Sequence, residues 1–172
     1  MEFNLINSTI EIQGEQSKYM YEFSIVGADD YGNELIDTFL NSKYYREDCN
    51  ISASQANKTN NNLFAGHAFD DKLINLEYFR KIKKVELIDF FNEYQSETNW
   101  GKDHADFVKI WNKFKQFIVH ETVSEFYLIS KEWFEKGDPI LAEISMVYTY
   151  YFLIIWLDET TQKIKLVEWK YD

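Results

Sequence analysis

The stretch YTYYFLIIWLDETTQKIKLVEW, residues 148–169, contains ten almost unbroken apolar and aromatic residues, then a polar break and a second hydrophobic run. A bilayer-spanning helix needs about 20 consecutive apolar residues. The first run is half that length and ends at Asp158 and Glu159. It is rich in β-branched and aromatic residues, and the break DETTQK is typical of a hairpin connection. The stretch therefore predicts two antiparallel strands and not a membrane span.

The apolar pattern of this hairpin also predicts its pairing register. A four-residue loop over 159–162 puts Asp158 opposite Lys163 and Phe152 opposite Trp169, which leaves one face of the hairpin continuously apolar. A shift of one residue would put Phe152 opposite a charged side chain and divide the aromatic residues between the two faces. Because the first strand is apolar on both faces, we expect the hairpin to lie centrally in its sheet.

A second hairpin is predicted at the start of the chain. In KYMYEFSIV, residues 18–26, apolar and polar side chains alternate as a half-buried strand requires. Residues 3–12 are the expected partner strand, with a turn near Gly14. The side chains expected on the buried face are Tyr19, Tyr21, Phe23 and Ile25.

Helical patterns occupy much of the chain between the two hairpins. Apolar residues recur at helical spacing over 35–43, with Asn33 as the expected N-cap. Similar patterns cover 83–95 and 103–118, where Asp103 is the expected N-cap, and a weaker helical pattern covers 123–134.

Two segments carry no clear helical pattern. Residues 48–66 are polar, rich in asparagine and aperiodic, so we predict a loop longer than compact domains usually contain. Residues 70–79 fit a strand and a short helix equally well. The element order is therefore two strands, a helix, a loop, several helices and two strands. It predicts a single α+β domain over 1–172, with an antiparallel sheet built from the N-terminal and C-terminal hairpins and several helices packed on one side.

The charge balance narrows the classes of partner. The chain has 29 acidic and 18 basic residues, a formal net charge of −11, and residues 1–48 contribute −7 with ten acids against three bases. The negative electrostatic potential around a chain of this charge repels nucleic-acid phosphates and anionic lipid surfaces and attracts a basic protein. Cys49 is the lone cysteine, and no signal-peptide pattern begins the sequence, so we expect a cytoplasmic location. The sequence predicts no oligomeric state.

The segment GHAFDDK, residues 66–72, is the best local candidate for catalysis. His67 beside Asp70 and Asp71 could act as a general base with an orienting acid, or as part of a metal site. Alternatively, the three side chains end a loop and cap the next element, which is the favoured interpretation. The sequence shows no metal-ligand spacing, nucleophile motif or phosphate-binding loop, so we expect neither a metal nor a cofactor.

The acidic residues around the first predicted helix exceed what a helix cap requires. Acids near a helix start favour the helix dipole, but a group of this size can also steer a basic partner and form charge-assisted hydrogen bonds with it. A tyrosine among them is typical of a protein interface. The predicted partner-binding residues are Asp29, Asp30, Tyr31, Glu34, Asp37, Glu47 and Asp48.

Two function classes follow from these features. The first is an acidic protein-binding module that engages a basic protein, for example an immunity-type inhibitor that neutralises a cationic toxin. The alternative is a small enzyme or ligand-binding protein with a pocket between sheet and helices, drawing on His67, Asp70 and Asp71. We favour the binding module because nothing in the sequence selects a reaction.

Overall fold

The computed structural model describes residues 1–29, 31–49, 66–96 and 101–171. These residues form a six-stranded antiparallel sheet with the strand order β1-β2-β6-β5-β4-β3. The strands are β1 (Glu2–Gln13), β2 (Gln16–Val26), β3 (Arg80–Lys83), β4 (Glu125–Ser130), β5 (Tyr150–Asp158) and β6 (Lys163–Tyr171). The helices are α1 (Asn33–Leu40), α2 (Lys84–Ser96) and α3 (His104–His120). Shorter elements are a π-helical turn (Tyr44–Asp48) and 3-10 turns (Leu76–Tyr78, Gly101–Asp103, Lys131–Trp133, Glu143–Val147).

The C-terminal hairpin has the predicted register and position. Asp158 lies opposite Lys163 and Phe152 lies opposite Trp169, so the connecting loop has four residues. β5 and β6 occupy the two central places of the sheet. The α+β prediction, with one antiparallel sheet that includes both terminal hairpins, is confirmed.

The N-terminal hairpin is also confirmed. β1 and β2 pair on either side of a tight turn in which Gly14 has a φ of +60°, a conformation that glycine adopts at low cost. The pairing shifts by one residue between Leu5 and Asn7, which marks a β-bulge in β1. The predicted inward residues of β2 are all buried: Tyr19, Tyr21, Phe23 and Ile25.

The two long helices pack on one side of the sheet, as predicted. We call this side the α2–α3 face. Trp169 lies at its centre, with its ring centroid 5.2 Å from that of Phe91 in α2 and 4.5 Å from that of Phe107 in α3. β5 contributes Phe152, whose ring centroid is 5.1 Å from that of Phe91. The hydrophobic effect of burying these large rings holds both helices against the hairpin.

The opposite side of the sheet, the α1 face, has its own apolar layer. Helix α1 covers it with Leu35, Ile36, Phe39 and Leu40, and the Phe39 ring contacts the Phe23 ring of β2 edge to face. The π-helical turn and the segment after Gly66 complete the cover. The sheet is therefore buried from both sides, which explains why β5 is apolar on both faces.

Some predicted elements differ from the structure. The weak helical pattern over 123–134 is wrong: it contains strand β4, which pairs with both β3 and β5. A short apolar run that is buried on both faces lacks a clear hydrophobic period, so its pattern does not distinguish a strand from a helix. The pairing with β3 and β5 makes this segment a strand. Residues 70–79 form turns and the 3-10 turn Leu76–Tyr78, and are thus neither a strand nor an α-helix.

The structure corrects the cap predicted for α1 and changes the role of the cap predicted for α3, and most of the predicted polar loop is not described. Gly32, not Asn33, occupies the N-cap position of α1. Asp103 occupies that position in α3 but makes no side-chain cap bond, and its carboxylate accepts a hydrogen bond from the Tyr171 hydroxyl at 2.5 Å instead. Of the predicted loop over 48–66, residues 50–65 lie outside the described residues, whereas Asp48 ends the π-helical turn.

Candidate functional site

The connection between β2 and α1 forms a pocket with acidic walls. Gly27, with a φ of +74°, turns the chain out of β2, and α1 begins six residues later at Asn33. The turn, the first turns of α1 and the start of β1 enclose a cavity of about 280 Å³, which we call the acidic pocket. Its lining residues are Met1, Gly27, Ala28, Asp29, Gly32, Glu34, Leu35 and Thr38.

The structure brings together two of the predicted partner-binding residues in this pocket. Asp29 and Glu34 both line the cavity and are both exposed to solvent. Tyr31, between them in sequence, is half-buried and packs against the core of the α1 face. Exposed carboxylates that line one cavity can accept hydrogen bonds from a guanidinium or ammonium group of a partner.

The other predicted partner-binding residues have different positions. Asp37 is half-buried, and its Oδ1 accepts a hydrogen bond from the Leu76 backbone N–H at 2.6 Å, which ties α1 to the 3-10 turn. Its carboxylate therefore has a structural partner. Asp30 lies outside the described residues. Glu47 and Asp48 belong to the π-helical turn, whose backbone places them beyond the far end of α1.

The second candidate group is built on the segment after Gly66. This segment is anchored to the chain near Leu141: Phe69 forms an isolated β-bridge with that residue, and the Asp70 N–H donates to the carbonyl of Ile140 at 2.8 Å. The anchoring carries His67 onto the α1 face of the sheet. There it meets β6, the last strand, more than 100 residues further along the chain.

His67 forms a buried ion pair with Glu168. Its Nδ1 lies 2.7 Å from Oε1 of Glu168, its Nε2 lies 3.3 Å from the carbonyl oxygen of Tyr45, and its ring stacks on the Tyr45 ring at a centroid distance of 4.5 Å. Both ring nitrogens therefore face acceptors, as a doubly protonated imidazolium requires. Asp71 adds a weaker contact, with Oδ1 at 4.0 Å from Nε2.

The pKa directions agree with a charged pair. Burial alone would lower the pKa of His67, but the Glu168 carboxylate, with Asp71 behind it, outweighs burial and raises the pKa above its ordinary value of 6.5. Burial alone would raise the pKa of Glu168, but His67 and then Lys170 outweigh it and lower the pKa below 4.5. For Asp71, burial prevails over the opposing effect of His67, and its pKa is raised.

This arrangement resembles a base with an orienting acid, but it is closed to solvent. His67 is 4% exposed, Glu168 is 1% exposed, and both lie among the apolar side chains of the α1 face. Asp70 does not join them, because its Oδ1 accepts the Lys72 N–H at 2.8 Å in a local turn. The predicted group of three is therefore only partly assembled.

The predicted partner-binding residues and the group around His67 also differ in whether they line a pocket. Two more surface pockets have volumes of about 280 and 350 Å³, one beside the β5–β6 loop and the other around the 3-10 turns of 131–147. None of these three pockets is lined by His67, Asp70 or Asp71. Of the three, the acidic pocket alone contains predicted partner-binding residues.

Sequence reasoning missed the β6 half of the buried cluster. Glu168 and Lys170 were not among the predicted site residues, yet both are buried. The register itself held the signal, because it places them on the same face as the buried Ile164 and Leu166. A hairpin predicted to be central buries both faces, so charged residues at those positions needed partners from elsewhere in the chain.

Within the described ranges, no group of three or more histidine, cysteine, aspartate or glutamate side chains is placed to hold a metal ion. None of the helices in the described part of the chain is long and apolar enough to cross a membrane. Cys49 is buried, and its carbonyl oxygen accepts a hydrogen bond from the Tyr21 hydroxyl at 2.8 Å.

Comparisons with known proteins add little. No protein-family model matches the sequence, and no curated protein matches it. Among solved structures, a crystal structure of citrus MAF1 is similar, with 11% sequence identity and a TM-score of 0.40 over 94% of this chain and 91% of that chain. At that TM-score the likeness supports no statement about function.

Proposed function

We propose that this chain is an acidic protein-binding module that engages a basic protein partner. The observation that carries the proposal is the acidic pocket, where Asp29 and Glu34 lie exposed at one cavity. The pocket belongs to the N-terminal segment, residues 1–48, which contributes −7 of the net charge of −11. A concentrated negative field raises the association rate with a cationic partner, and the cavity gives one basic side chain a defined seat.

The partner class that fits this chemistry is a cationic protein whose active surface is rich in lysine or arginine. An inhibitor that covers such a surface, as an immunity-type protein covers a nuclease toxin, needs an acidic face of this kind. In this proposal the buried His67–Glu168 pair has a structural role, because it holds the segment after Gly66 against the sheet.

The test compares affinity capture by three forms of the protein. The double variant Asp29→Asn/Glu34→Gln removes the two carboxylates of the acidic pocket. The control variant Glu93→Gln/Glu135→Gln makes the same change in net charge at exposed residues in α2 and after the 3-10 turn Lys131–Trp133. Captured proteins from the native host are identified by mass spectrometry, and binding of each is measured against salt concentration.

We expect wild type and control to retain a basic partner that the pocket variant binds roughly tenfold more weakly, with a smaller dependence on salt. The control separates a local effect from a change in overall charge. Equal capture by all three forms, or capture of proteins that are not basic, contradicts the proposal.

A further inference from the structure

Strand β1 is a long strand at the edge of the sheet. It has 12 residues, pairs with β2 on one side, and is the outermost strand at that end of the sheet formed by the described residues. An edge strand presents a row of backbone N–H and C=O groups that another extended chain can pair with. The strand at the opposite edge, β3, has only four residues.

The two edges also differ in how they are protected. Proteins guard edge strands with short length, lysine or proline. β3 has the sequence RKIK, with three basic residues in four. β1 contains no lysine, arginine or proline, and it exposes three aliphatic side chains. Their exposed fractions are 42% for Leu5, 49% for Ile6 and 44% for Ile10.

The bulge in β1 places Leu5 and Ile10 on the same face of the strand. In a regular strand, Leu5 and Ile10 would point to opposite faces because they are five residues apart. The register shift changes this: Leu5 lies opposite Phe23 and Ile10 lies opposite Tyr19, and both partners face the α1 side. A bulge often protects an edge, but this one also aligns an exposed apolar strip along it.

The β1 edge is continuous with the acidic pocket. Met1, the residue before β1, lines that pocket together with Asp29 and Glu34. At the other end of the strand, Glu15 is exposed in the turn that leads to β2. An edge strand with three exposed aliphatic side chains and carboxylates beyond both ends is complementary to an extended segment with aliphatic residues in the middle and basic residues at its ends.

We propose that an extended segment of the basic partner adds to the sheet as a new strand alongside β1, with its aliphatic side chains against Leu5, Ile6 and Ile10 and a lysine or arginine in the acidic pocket. This inference rests on the proposed function and specifies how the partner docks. A second copy of the chain fits less well, because pairing two β1 strands would bring together two N-terminal segments with a charge of −7 each.

The test uses two capped peptides of about ten residues, a strand length that β1 can match. One alternates lysine with valine, and the other alternates lysine with proline, so the two have equal charge but the second lacks half of its N–H donors and cannot form a regular strand. Affinity is measured by fluorescence anisotropy, and the contact surface is located by amide chemical shifts.

The key variant is Ile6→Glu/Ile10→Glu, which removes two exposed aliphatic side chains and adds negative charge. Val85→Glu/Met146→Glu is its control, because it makes the same change in charge at two other exposed hydrophobic residues. Val85 lies in α2 and Met146 lies in the 3-10 turn Glu143–Val147, so neither belongs to β1. Circular dichroism confirms that each variant is folded. We expect the lysine–valine peptide to shift β1 amides, to bind about tenfold more tightly than the lysine–proline peptide, and to lose about tenfold in affinity with the key variant alone.

Several results would overturn strand addition. If both peptides bind alike, or if the key variant binds the lysine–valine peptide as tightly as wild type or more tightly, the attraction is electrostatic only. Strand addition at β1 is then wrong, and only electrostatic attraction to the acidic pocket remains. If neither peptide binds while Asp29→Asn/Glu34→Gln still loses its captured partner, the docking edge fails and the proposed function survives. If sedimentation shows a dimer that the key variant abolishes, a second copy covers β1.

Discussion

At the scale of single residues, the buried charges of the α1 face are the most demanding feature of the molecule. His67, Glu168 and Lys170 are all removed from water, and an isolated charge in such a place is costly. The 2.7 Å contact between His67 and Glu168 compensates two of these charges at once, and Lys170 lowers the pKa of Glu168 further. The carboxylate of Glu168 therefore compensates the charge of His67 and lies in the field of Lys170.

We predict that Glu168→Gln lowers the free energy of unfolding by about 3 kcal/mol near pH 6, because breaking a buried pair leaves an uncompensated charge. Urea unfolding followed by tryptophan fluorescence measures the loss. Glu93→Gln, the same change at an exposed position of α2, should cost less than about 0.5 kcal/mol. A loss no greater than that of the control would show that the pair contributes nothing.

The same pair predicts a pH window. The raised pKa of His67 means that its contribution is complete below 6.5, the value of an unfolded histidine, and is lost as pH rises through the higher folded value. The lowered pKa of Glu168 means that its contribution is complete above 4.5 and is lost as pH falls through the lower folded value. The difference in unfolding free energy between wild type and Glu168→Gln should therefore be largest between about pH 4.5 and 6.5 and should shrink toward pH 9. A constant difference would contradict the charged pair.

Asp37 and Asp29 separate a structural acid from a binding acid. Replacing Asp37 with alanine removes the acceptor for the Leu76 N–H, so we predict a loss of about 1 to 2 kcal/mol in unfolding free energy. Asp29→Ala, at an exposed position of the acidic pocket, should change that free energy by less than about 0.5 kcal/mol. Chemical denaturation of both variants tests this difference, and equal stability would remove the distinction.

At the scale of elements, the C-terminal hairpin organises the α2–α3 face. Trp169 contacts both long helices through stacked rings, so one side chain connects β6, α2 and α3. We predict that Trp169→Ala lowers the unfolding free energy by about 3 to 5 kcal/mol, since a large cavity remains between three elements. Val119→Ala, at an exposed position near the end of α3, is the matched truncation and should have little effect. Denaturant midpoints compare the two, and similar midpoints would show that the hairpin does not hold the helices.

The same elements show what the sequence could and could not predict. The register of β5 and β6 was predictable because a shift of one residue would have put Phe152 opposite a charged side chain and divided the aromatic residues between the two faces. Strand β4 was not, since five of its six residues are buried, on both faces of the sheet, and their pattern has no clear period. The candidate site residues likewise include some that the sequence could identify and some that it could not. Asp29 and Glu34 are close in sequence and were identified locally, whereas Glu168 reaches His67 only because the fold brings the last strand to a distant segment.

At the scale of the whole molecule, the charge of −11 acts against folding as well as for binding. Like charges in the N-terminal segment repel one another in the compact state, and salt screens this repulsion. We predict that Asp29→Asn/Glu34→Gln melts about 2 °C higher than wild type at low ionic strength, and that the difference disappears near 1 M salt. Calorimetry at both salt concentrations tests the prediction. A variant that melts lower than wild type would show that the two acids stabilise the fold.

The unequal edges of the sheet limit how copies of this protein can associate. Joining β1 of one molecule to β3 of the next would be a head-to-tail contact that does not close, and such contacts build fibres. β3 has only four residues, so it can form few backbone hydrogen bonds with another strand. Three of the four are basic, and pairing would require partial dehydration of their charged side chains. The proposed pairing of a partner with β1 therefore leaves, among the described strands, no second long edge through which copies of the chain could polymerise.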